Sequence, residues 1–301
     1  MFKGAMVALV TPFSAKGGSA SGGKNLVVDE KKLKEIVEFQ IKNGTSAIVP
    51  CGTTGESATL SYEEHERVIE LVIKTVNKRV PVIAGTGSNN TIEAIMLTAH
   101  AKSAGADASL QVTPYYNKPT QEGIYRHFKS IAEEIDLPVI IYNIASRTGV
   151  NITPETMARL SKVKNIVGVK ESSGNLEQMS LIRALCGEDF DLISGDDALT
   201  LPLLAIGGTG VISVVSNIVP ADVSEMVSMF KKGDIAGAQR VHYKLLPLIK
   251  AMFIETNPIP VKTAMALMGM IDTPDLRLPM CAMSEGNLAI LKKALKDYGL
   301  I

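Results

Sequence analysis

The sequence predicts an α/β protein, a (β/α)8 TIM barrel with a C-terminal helical extension. Its 301 residues allow one barrel, which typically needs about 250, plus a modest addition. Helix-like segments such as 29–43, 61–76 and 91–104 separate short β-rich apolar runs. Strands joined through helices run parallel, and eight such units match a closed barrel. The eight runs are Gly4–Val10, Ser46–Pro50, Val80–Ala84, Ala108–Val112, Leu137–Tyr142, Asn165–Lys170, Asp191–Ser194 and Gly210–Val214.

Local signals mark where the helices begin and end. Ser61 and Glu64 have the spacing of a capping box, and Thr153-Pro154 places proline at a favoured first helical position. Gly44 and Gly105 follow helical stretches, where a left-handed residue commonly ends a helix. The segment Ser14–Asn25 is rich in glycine and serine and predicts a mobile loop after the first strand.

The strand pattern ends near residue 220. Helical segments are predicted over 221–232, 235–255, 260–270 and 284–297, with Pro247 expected to kink or divide the second of them. We therefore predict a catalytic barrel over 1–232 and a helical extension over 233–301.

Composition disfavours several classes of protein. Lys plus Arg and Asp plus Glu both total 31, so no basic excess indicates nucleic acid or an anionic membrane. The three cysteines are far apart and the four histidines scattered, which indicates reduced thiols and no metal site. No secretory signal and no apolar run of about 20 residues is present. The cytoplasm is the expected location.

Lys170 and Tyr142 end two neighbouring strands. Active sites of such barrels lie at the carboxyl ends of the strands. A lysine amine attacks a ketone only when neutral, a form that burial favours, and Gly168 on the same face leaves space beside it. A tyrosine phenol can then transfer protons. Position alone favours a solvated lysine that closes a strand at Lys170, and a core tyrosine with its hydroxyl at the rim at Tyr142. Two neighbouring strands that end in these residues shift the balance towards a site, because the side chains could converge.

Two further segments suit carboxylate binding. The turn Gly52-Thr53-Thr54-Gly55-Glu56 offers backbone N–H groups and two hydroxyls to an anion, or is a tight turn that starts a helix. Arg147 follows the fifth strand and can clamp a carboxylate through two hydrogen bonds, or is a surface arginine. No P-loop or GxGxxG pattern is present.

These segments together resemble the dihydrodipicolinate synthase family of pyruvate-dependent class I aldolases, in order and spacing along nearly the whole chain. The matching stretches are Gly52–Leu60, Val112–Asn117, Tyr142-Asn143, Ser146–Gly149, Gly168–Glu171, Ser194–Asp197, Asn257–Lys262 and Leu276–Met280.

The resemblance implies condensation of pyruvate with L-aspartate 4-semialdehyde to 4-hydroxy-tetrahydrodipicolinate, the first committed step towards diaminopimelate and lysine. Lys170 would form the Schiff base, and Thr54 would hold the pyruvate carboxylate. Arg147 would bind the semialdehyde's carboxylate, while backbone groups of Gly195 and Ile212 line the site. The proton relay would comprise Thr53, Tyr142 and Tyr116, the last reaching in from a neighbouring subunit.

The family also implies a homotetramer built from two tight dimers, and no metal or organic cofactor. Many members are inhibited by lysine at the dimer interface, and the corresponding residues are Ser57, Ala58, His65, Asn89, Glu93 and Tyr115. This sequence departs from the pattern in three places. Tyr62 stands where lysine-sensitive members have histidine, Ala145 stands where proline is common, and the loop 14–25 is longer than usual.

Two rival functions follow from the same residues. N-acetylneuraminate lyases and keto-deoxy sugar acid aldolases share the Lys and Tyr pattern, but the Ser146–Gly149 stretch is not typical of them. A non-catalytic barrel that senses a keto acid or an amino acid is the other alternative. Retention of Lys170, Tyr142, Thr53 and Tyr116 together argues against it.

Overall fold

The computed structural model of the chain describes residues 1–15 and 26–301. Within them lie ten strands, eight of which are parallel and form a nearly closed barrel, confirming the predicted fold class. The strands are β1 (Gly4–Ala8), β2 (Phe13–Ala15), β3 (Leu26–Val28), β4 (Ala47–Val49), β5 (Ile83–Gly85), β6 (Ala108–Val112), β7 (Val139–Asn143), β8 (Ile166–Glu171), β9 (Asp191–Ser194) and β10 (Gly210–Ser213).

The barrel closes between β4 and β5. The hydrogen-bonded order of the sheet is β4-β1-β10-β9-β8-β7-β6-β5, so β4 and β5 are its two ends. An isolated parallel bridge between Ile48 and Val82 joins these ends. The backbone N–H of Ile48 donates to Pro81 O at 3.0 Å, and that of Gly85 donates to Pro50 O at 3.0 Å. Closure brings the carboxyl ends of all eight strands to one mouth.

Strands β2 and β3 form an antiparallel pair beside the barrel, in which Ser14 pairs with Val27 and Ala15 with Leu26. The prediction that a loop begins at Ser14 is therefore wrong for Ser14 and Ala15. A three-residue strand followed by glycines carries too little periodicity to be recognised. The rest of the predicted glycine-rich loop, 16–25, lies outside the described residues.

Twelve helices appear in the described part of the chain. They are α1 (Glu30–Lys42), α2 (Tyr62–Val76), α3 (Thr91–Ala104), α4 (Gln121–Glu134), α5 (Ala145–Thr148), α6 (Pro154–Leu160), α7 (Leu176–Cys186), α8 (Thr200–Ala205), α9 (Pro220–Lys231), α10 (Ile235–Met252), α11 (Ile259–Leu267) and α12 (Glu285–Tyr298).

The predicted helix ends are confirmed where a local motif defines them. Ser61 and Glu64 form a complete capping box, and Thr153 caps α6 with Pro154 in its first turn. Gly105 ends α3 with φ +97°. The helix α10, by contrast, runs through Pro247 without being divided.

The C-terminal helices pack into the same apolar core as the helices of the barrel. Leu248 of α10, Val261 of α11 and Leu291 of α12 are fully buried in one cluster with Ile36 and Val72. The extension thus continues the core of the barrel, and its first helix, α10, packs on α8 and α9. The division at residue 232 stays a prediction.

Across residues 1–15 and 26–301, the helices include none with the length and apolar character that a bilayer span requires.

Candidate active site

Lys170 lies near the carboxyl end of β8 and is buried, with 6% of its surface exposed. In the register of the two strands it lies directly beside Tyr142 of β7. Its Nζ lies 4.1 Å from the centre of the Tyr142 ring. Burial beside an aromatic ring holds the amine at the barrel mouth, largely out of bulk water. The structure therefore brings together Lys170 and Tyr142, the two residues that were predicted to meet at the ends of neighbouring strands.

Two glycines shape the space around the lysine. A Cβ added at Gly195 would lie 3.0 Å from Lys170 Cε and 1.9 Å from Ser172 Oγ. At Gly168 it would lie 2.6 Å from the carbonyl oxygen of Asp191. Gly195 thus leaves room for the lysine, as a wall residue must. The room predicted at Gly168 is instead taken by the backbone of β9.

Ile212 lies on the interior of the barrel wall, two strands from Lys170. It lies on β10, is 1% exposed and shares an apolar cluster with Tyr142 and Ile193. Ile193 is the register partner of Lys170 on β9. The predicted wall residues are therefore near neighbours of the lysine.

The turn after β4 presents two threonines in different ways. Thr53 is half-buried and lines a cavity at the mouth. Thr54 is buried, and its Oγ1 accepts a hydrogen bond of 2.9 Å from Asn257 Nδ2. The turn therefore places one hydroxyl in the cavity and fixes the other against the C-terminal segment.

Arg147 lies in the short helix α5, directly after β7. Its Nη2 donates to the carbonyl oxygen of Asn257 at 3.1 Å, and its side chain lines the same cavity as Thr53 and Tyr142. The guanidinium keeps further N–H groups for a ligand, because it carries five in all.

The cavity has a volume of about 640 Å³, and its lining residues fall into two groups, which we describe as two parts. Thr53, Tyr142, Arg147 and Asn257 line the part above the barrel. The other part is a side cleft lined by Ser57, Ala58, His65, Glu93 and Tyr115, which are five of the six residues predicted for an effector. Lys170 is not part of the wall and adjoins the cavity through Tyr142. The cavity therefore connects the candidate catalytic residues with the candidate effector cleft.

Glu93 is the acidic centre of the side cleft. Ser88 Oγ and Tyr62 Oη both donate hydrogen bonds to its carboxylate, and these bonds lower the pKa of Glu93. His65 is buried, which lowers its pKa, and its Nε2 lies 2.9 Å from Gly85 O. Asn89, the sixth predicted residue, donates to Tyr115 O at 3.2 Å and so supports the rim. At neutral pH the cleft carries a carboxylate beside a neutral imidazole.

Tyr116 does not reach this site within one chain. It is 89% exposed and adopts a left-handed φ of +69°. Its neighbour Tyr115 lines the side cleft, whereas Tyr116 projects into solvent. Of the predicted relay, the structure thus brings together Thr53 and Tyr142 only.

Comparison with known proteins identifies the family. The model of the dihydrodipicolinate synthetase family matches residues 1–298. The chain belongs to this family. It is 58% identical, over all 301 residues and the full length of both proteins, to the 4-hydroxy-tetrahydrodipicolinate synthase of Syntrophus aciditrophicus. Family membership at this identity makes the chain an enzyme, a lyase of the class I aldolase type.

Solved structures of the dihydrodipicolinate synthetase family agree closely with this fold. The enzyme from Aquifex aeolicus is 51% identical, with a TM-score of 0.93 and 99% of each chain covered. The chloride-inhibited enzyme of Acinetobacter baumannii, solved with pyruvate, is 45% identical over the full length of both chains, with a TM-score of 0.94. The enzyme of Cyanidioschyzon merolae, solved with lysine bound, is 42% identical, with a TM-score of 0.93 over 100% of this chain and 99% of that one.

Sequence reasoning assigned no role to Asn257 or Lys262, although both lie in a stretch quoted for the family resemblance. Lys262 is fully buried, and its Nζ contacts Glu56 Oε1 at 2.7 Å and Asp275 O at 2.7 Å. Burial lowers the pKa of Lys262, and the Glu56 carboxylate partly opposes that effect. Their side chains meet the Gly52–Glu56 turn about 200 positions earlier in the chain, which no local pattern reveals.

Glu171 is another buried group that the sequence did not single out. It follows Lys170 on β8, is 0% exposed and accepts hydrogen bonds from Asn143 Nδ2 at 3.0 Å and from Ser173 N at 2.7 Å. Burial raises the pKa of Glu171. Because side chains alternate along a strand, Glu171 points to the helix side and ties the ends of β7 and β8 together.

Proposed function

We propose that this protein condenses pyruvate with L-aspartate 4-semialdehyde to 4-hydroxy-tetrahydrodipicolinate, through a Schiff base on Lys170. The observation that carries the proposal is the buried amine of Lys170, 4.1 Å from the ring centre of Tyr142 at the barrel mouth. Full-length relatives named for this synthase activity support the choice of substrates. They favour it over a sugar acid aldolase or a non-catalytic sensor.

The reaction begins when the neutral Lys170 amine adds to the C2 carbonyl of pyruvate. Loss of one water gives a protonated imine, whose nitrogen draws electron density from the methyl group and makes it acidic. Removal of a methyl proton gives an enamine. Its carbon attacks the aldehyde carbon of the second substrate, and the new alkoxide takes up a proton. The substrate's own amine then displaces Lys170 from the imine carbon and closes the ring.

The surrounding residues take the remaining roles. Tyr142, beside Lys170, transfers protons at the carbinolamine and enamine stages together with Thr53 and Tyr116. The Thr54 hydroxyl holds the pyruvate carboxylate. Arg147 holds the semialdehyde's carboxylate, as its unused N–H groups in the cavity allow. Backbone groups of Gly195 and Ile212 bound the substrate. This chemistry needs no metal or organic cofactor.

The exposed Tyr116 supports a tight dimer, because its own chain does not bring it to the site where the proposed relay requires it. We propose a homotetramer of two such dimers, located in the cytoplasm and without nucleic acid or membrane partners.

The side cleft supports a second role, the binding of lysine as an inhibitor. Its carboxylate, Glu93, suits an ammonium group, and Ser57, Ala58, His65, Asn89 and Tyr115 surround it. The lysine-bound relative supports the choice of ligand.

Borohydride reduction in the presence of pyruvate tests the proposed chemistry. We expect mass spectrometry to find pyruvate, less water and plus two hydrogens, attached to Lys170. The variant K170M should show no such adduct. A wild-type protein that turns over the semialdehyde without this adduct would rule out the Schiff base, and failure to turn it over would reject the substrate.

Arg147 separates the synthase from the sugar acid aldolases. R147M should lower kcat/KM for the semialdehyde about 30-fold or more, because one partner of a charged pair is lost. It should still form the pyruvate adduct. Equal loss of both activities would count against the role of Arg147.

A further inference from the structure

Asn257 lies between the two residues proposed to bind carboxylates. It precedes α11 in the C-terminal region, is 5% exposed and lines the upper part of the cavity. Its side-chain Nδ2 donates to Thr54 Oγ1 at 2.9 Å, and its main-chain oxygen accepts from Arg147 Nη2 at 3.1 Å. Asn257 therefore contacts Thr54, the residue proposed to bind pyruvate, through its side chain. It contacts Arg147, the residue proposed to bind the semialdehyde, through its backbone.

The amide of Asn257 is only half satisfied. Within the described residues its Oδ1 has no hydrogen-bond partner, although the atom is buried. A buried, unpartnered carbonyl lowers stability, and an apolar side chain of similar shape would avoid that loss. Packing alone therefore does not account for an asparagine here. An apolar residue would lack the amide Nδ2–H of Asn257 that donates to Thr54 Oγ1.

That donor determines which way the Thr54 hydroxyl points. A hydroxyl carries one hydrogen and two acceptor lone pairs. Because Asn257 Nδ2 donates to Thr54 Oγ1, a lone pair is occupied and the hydroxyl hydrogen stays available to donate elsewhere. A carboxylate accepts hydrogen bonds and cannot donate them. The amide thus leaves Thr54 in the state that a carboxylate requires.

The segment carrying Asn257 is anchored independently of this bond. Lys262, five residues later, forms the buried ion pair with Glu56, two residues after Thr54. The C-terminal segment and the turn are thereby joined at two points. A change in the Asn257 side chain should alter one hydrogen bond without releasing the segment.

We infer that Asn257 is a positioning residue for pyruvate, acting through the Thr54 hydroxyl. This inference rests on the proposed function, in which Thr54 holds the pyruvate carboxylate. Because Arg147 contacts only the main chain of Asn257, substitution of its side chain should leave semialdehyde binding unchanged.

The variants N257L and N257D test the inference. N257L removes the donor, and we expect KM for pyruvate to rise about tenfold with KM for the semialdehyde unchanged. In N257D an ionised carboxylate accepts the Thr54 hydrogen and repels the substrate, whereas a protonated carboxyl can donate. The ratio of pyruvate KM between N257D and wild type should therefore fall as the pH is lowered.

Asn165 provides the matched control. It is half-buried before β8, at the end of the barrel opposite Lys170, and donates to Ala132 O at 2.9 Å. N165D should leave pyruvate KM unchanged at every pH. If folded N257L and N257D bind pyruvate as the wild type does, or raise both KM values equally, the inference is overturned. Failure of both to fold would likewise assign Asn257 a structural role.

The borohydride adduct distinguishes a wrong role for Asn257 from a wrong proposed function. At saturating pyruvate, both variants should still form the adduct on Lys170. An unchanged KM with a normal adduct overturns the inference and leaves the Schiff-base reaction intact. The absence of an adduct in the wild type removes the basis for both.

Discussion

Four non-glycine residues around the mouth hold a left-handed backbone conformation. Their φ angles are +55° at Cys51, +53° at Glu56, +69° at Tyr116 and +43° at Lys118. Such conformations cost about 1–3 kcal/mol each, and they persist where surrounding contacts over-determine them, often at functional sites. The first two flank the threonines of the turn after β4, and the other two flank Asn117. Local backbone strain therefore shapes the two segments that carry Thr53 and Tyr116, whereas Tyr142 lies on the regular strand β7.

Glu93 gives the residue-scale prediction. If lysine binds the side cleft, its ammonium replaces the hydroxyl donors Ser88 and Tyr62 at the Glu93 carboxylate. E93Q should then raise the lysine concentration for half-inhibition about 30-fold, because a charged pair is lost. Activity without lysine should be unchanged, and E133Q, at an exposed glutamate of α4, should behave as wild type. A flat response of the wild-type enzyme to lysine would reject the effector site.

At the scale of elements, a cluster of charged side chains joins the C-terminal residues Lys262 and Arg277 to the turn after β4. The Phe13 ring lies 4.1 Å from Lys262 Nζ and 4.5 Å from Arg277 Cζ, measured to the ring centre. The N–H of Arg277 donates to Glu56 Oε2 at 3.2 Å, and its guanidinium pairs with Glu64. Strand β2, the turn and the C-terminal segment are therefore connected through charges that lie largely out of water.

Breaking the Lys262–Glu56 pair should destabilise the fold. K262M leaves the Glu56 carboxylate buried without its ammonium partner, and we expect the free energy of unfolding to fall by about 3–5 kcal/mol. E56Q/K262M should lose less than the sum of its single variants, since neither charge then remains alone. Denaturant titration measures both.

The exposed pair Lys293–Asp297 of α12 is the control for that titration, and K293M should have little effect. Strictly additive losses in the double variant would show that the two buried groups do not act as a pair.

The sequence predicted elements better than it predicted contacts between them. Apolar runs and caps depend on neighbouring residues, so eight strands and the end of α3 at Gly105 were predictable. Strand limits shifted by up to three residues, as at β5, because pairing register depends on the partner strand. Asn257 and Lys262 escaped notice because a buried amide or lysine has the same local pattern as an exposed one. Their partners, Thr54 and Glu56, lie more than 200 residues away.

At the scale of the whole molecule, one chain lacks part of its proposed relay. Tyr116 is 89% exposed, and its neighbour Asn117 donates a hydrogen bond to Asn89 O, just before α3. On that helix, Ile92 and Met96 are exposed as well, so an apolar face lies close to the tyrosine. A second copy covering this face would bury these side chains and bring a tyrosine to each site. The same contact would cover the exposed apolar side chains and supply the tyrosine phenol that the proposed relay lacks within one chain.

Subunit mixing tests this arrangement. K170M and Y116F should each be weakly active alone. In a mixed dimer, the subunit with an intact lysine receives an intact Tyr116 from its partner. Refolding the two together at equal amounts should restore about a quarter of wild-type activity per site, because half the dimers are mixed and each has one complete site.

Y243F, at a tyrosine of α10 that is 68% exposed, should keep full activity as a control for loss of a surface phenol. No recovery on mixing, with dimers present by sedimentation, would place Tyr116 outside the neighbouring site.

The closure of the barrel has a consequence for how its two pockets relate. Five register pairs join β7 to β8 around Tyr142 and Lys170, whereas β4 meets β5 at the single bridge between Ile48 and Val82. The strand pairing of the barrel is therefore most extensive beside Tyr142 and Lys170 and least extensive at the junction of β4 and β5. Thr53 follows β4 on one side of that junction. On the other side, His65 of the side cleft is hydrogen-bonded through its Nε2 to Gly85 O of β5. A ligand in the side cleft would therefore contact the barrel wall where strand pairing is least extensive, next to Thr53 of the proposed relay.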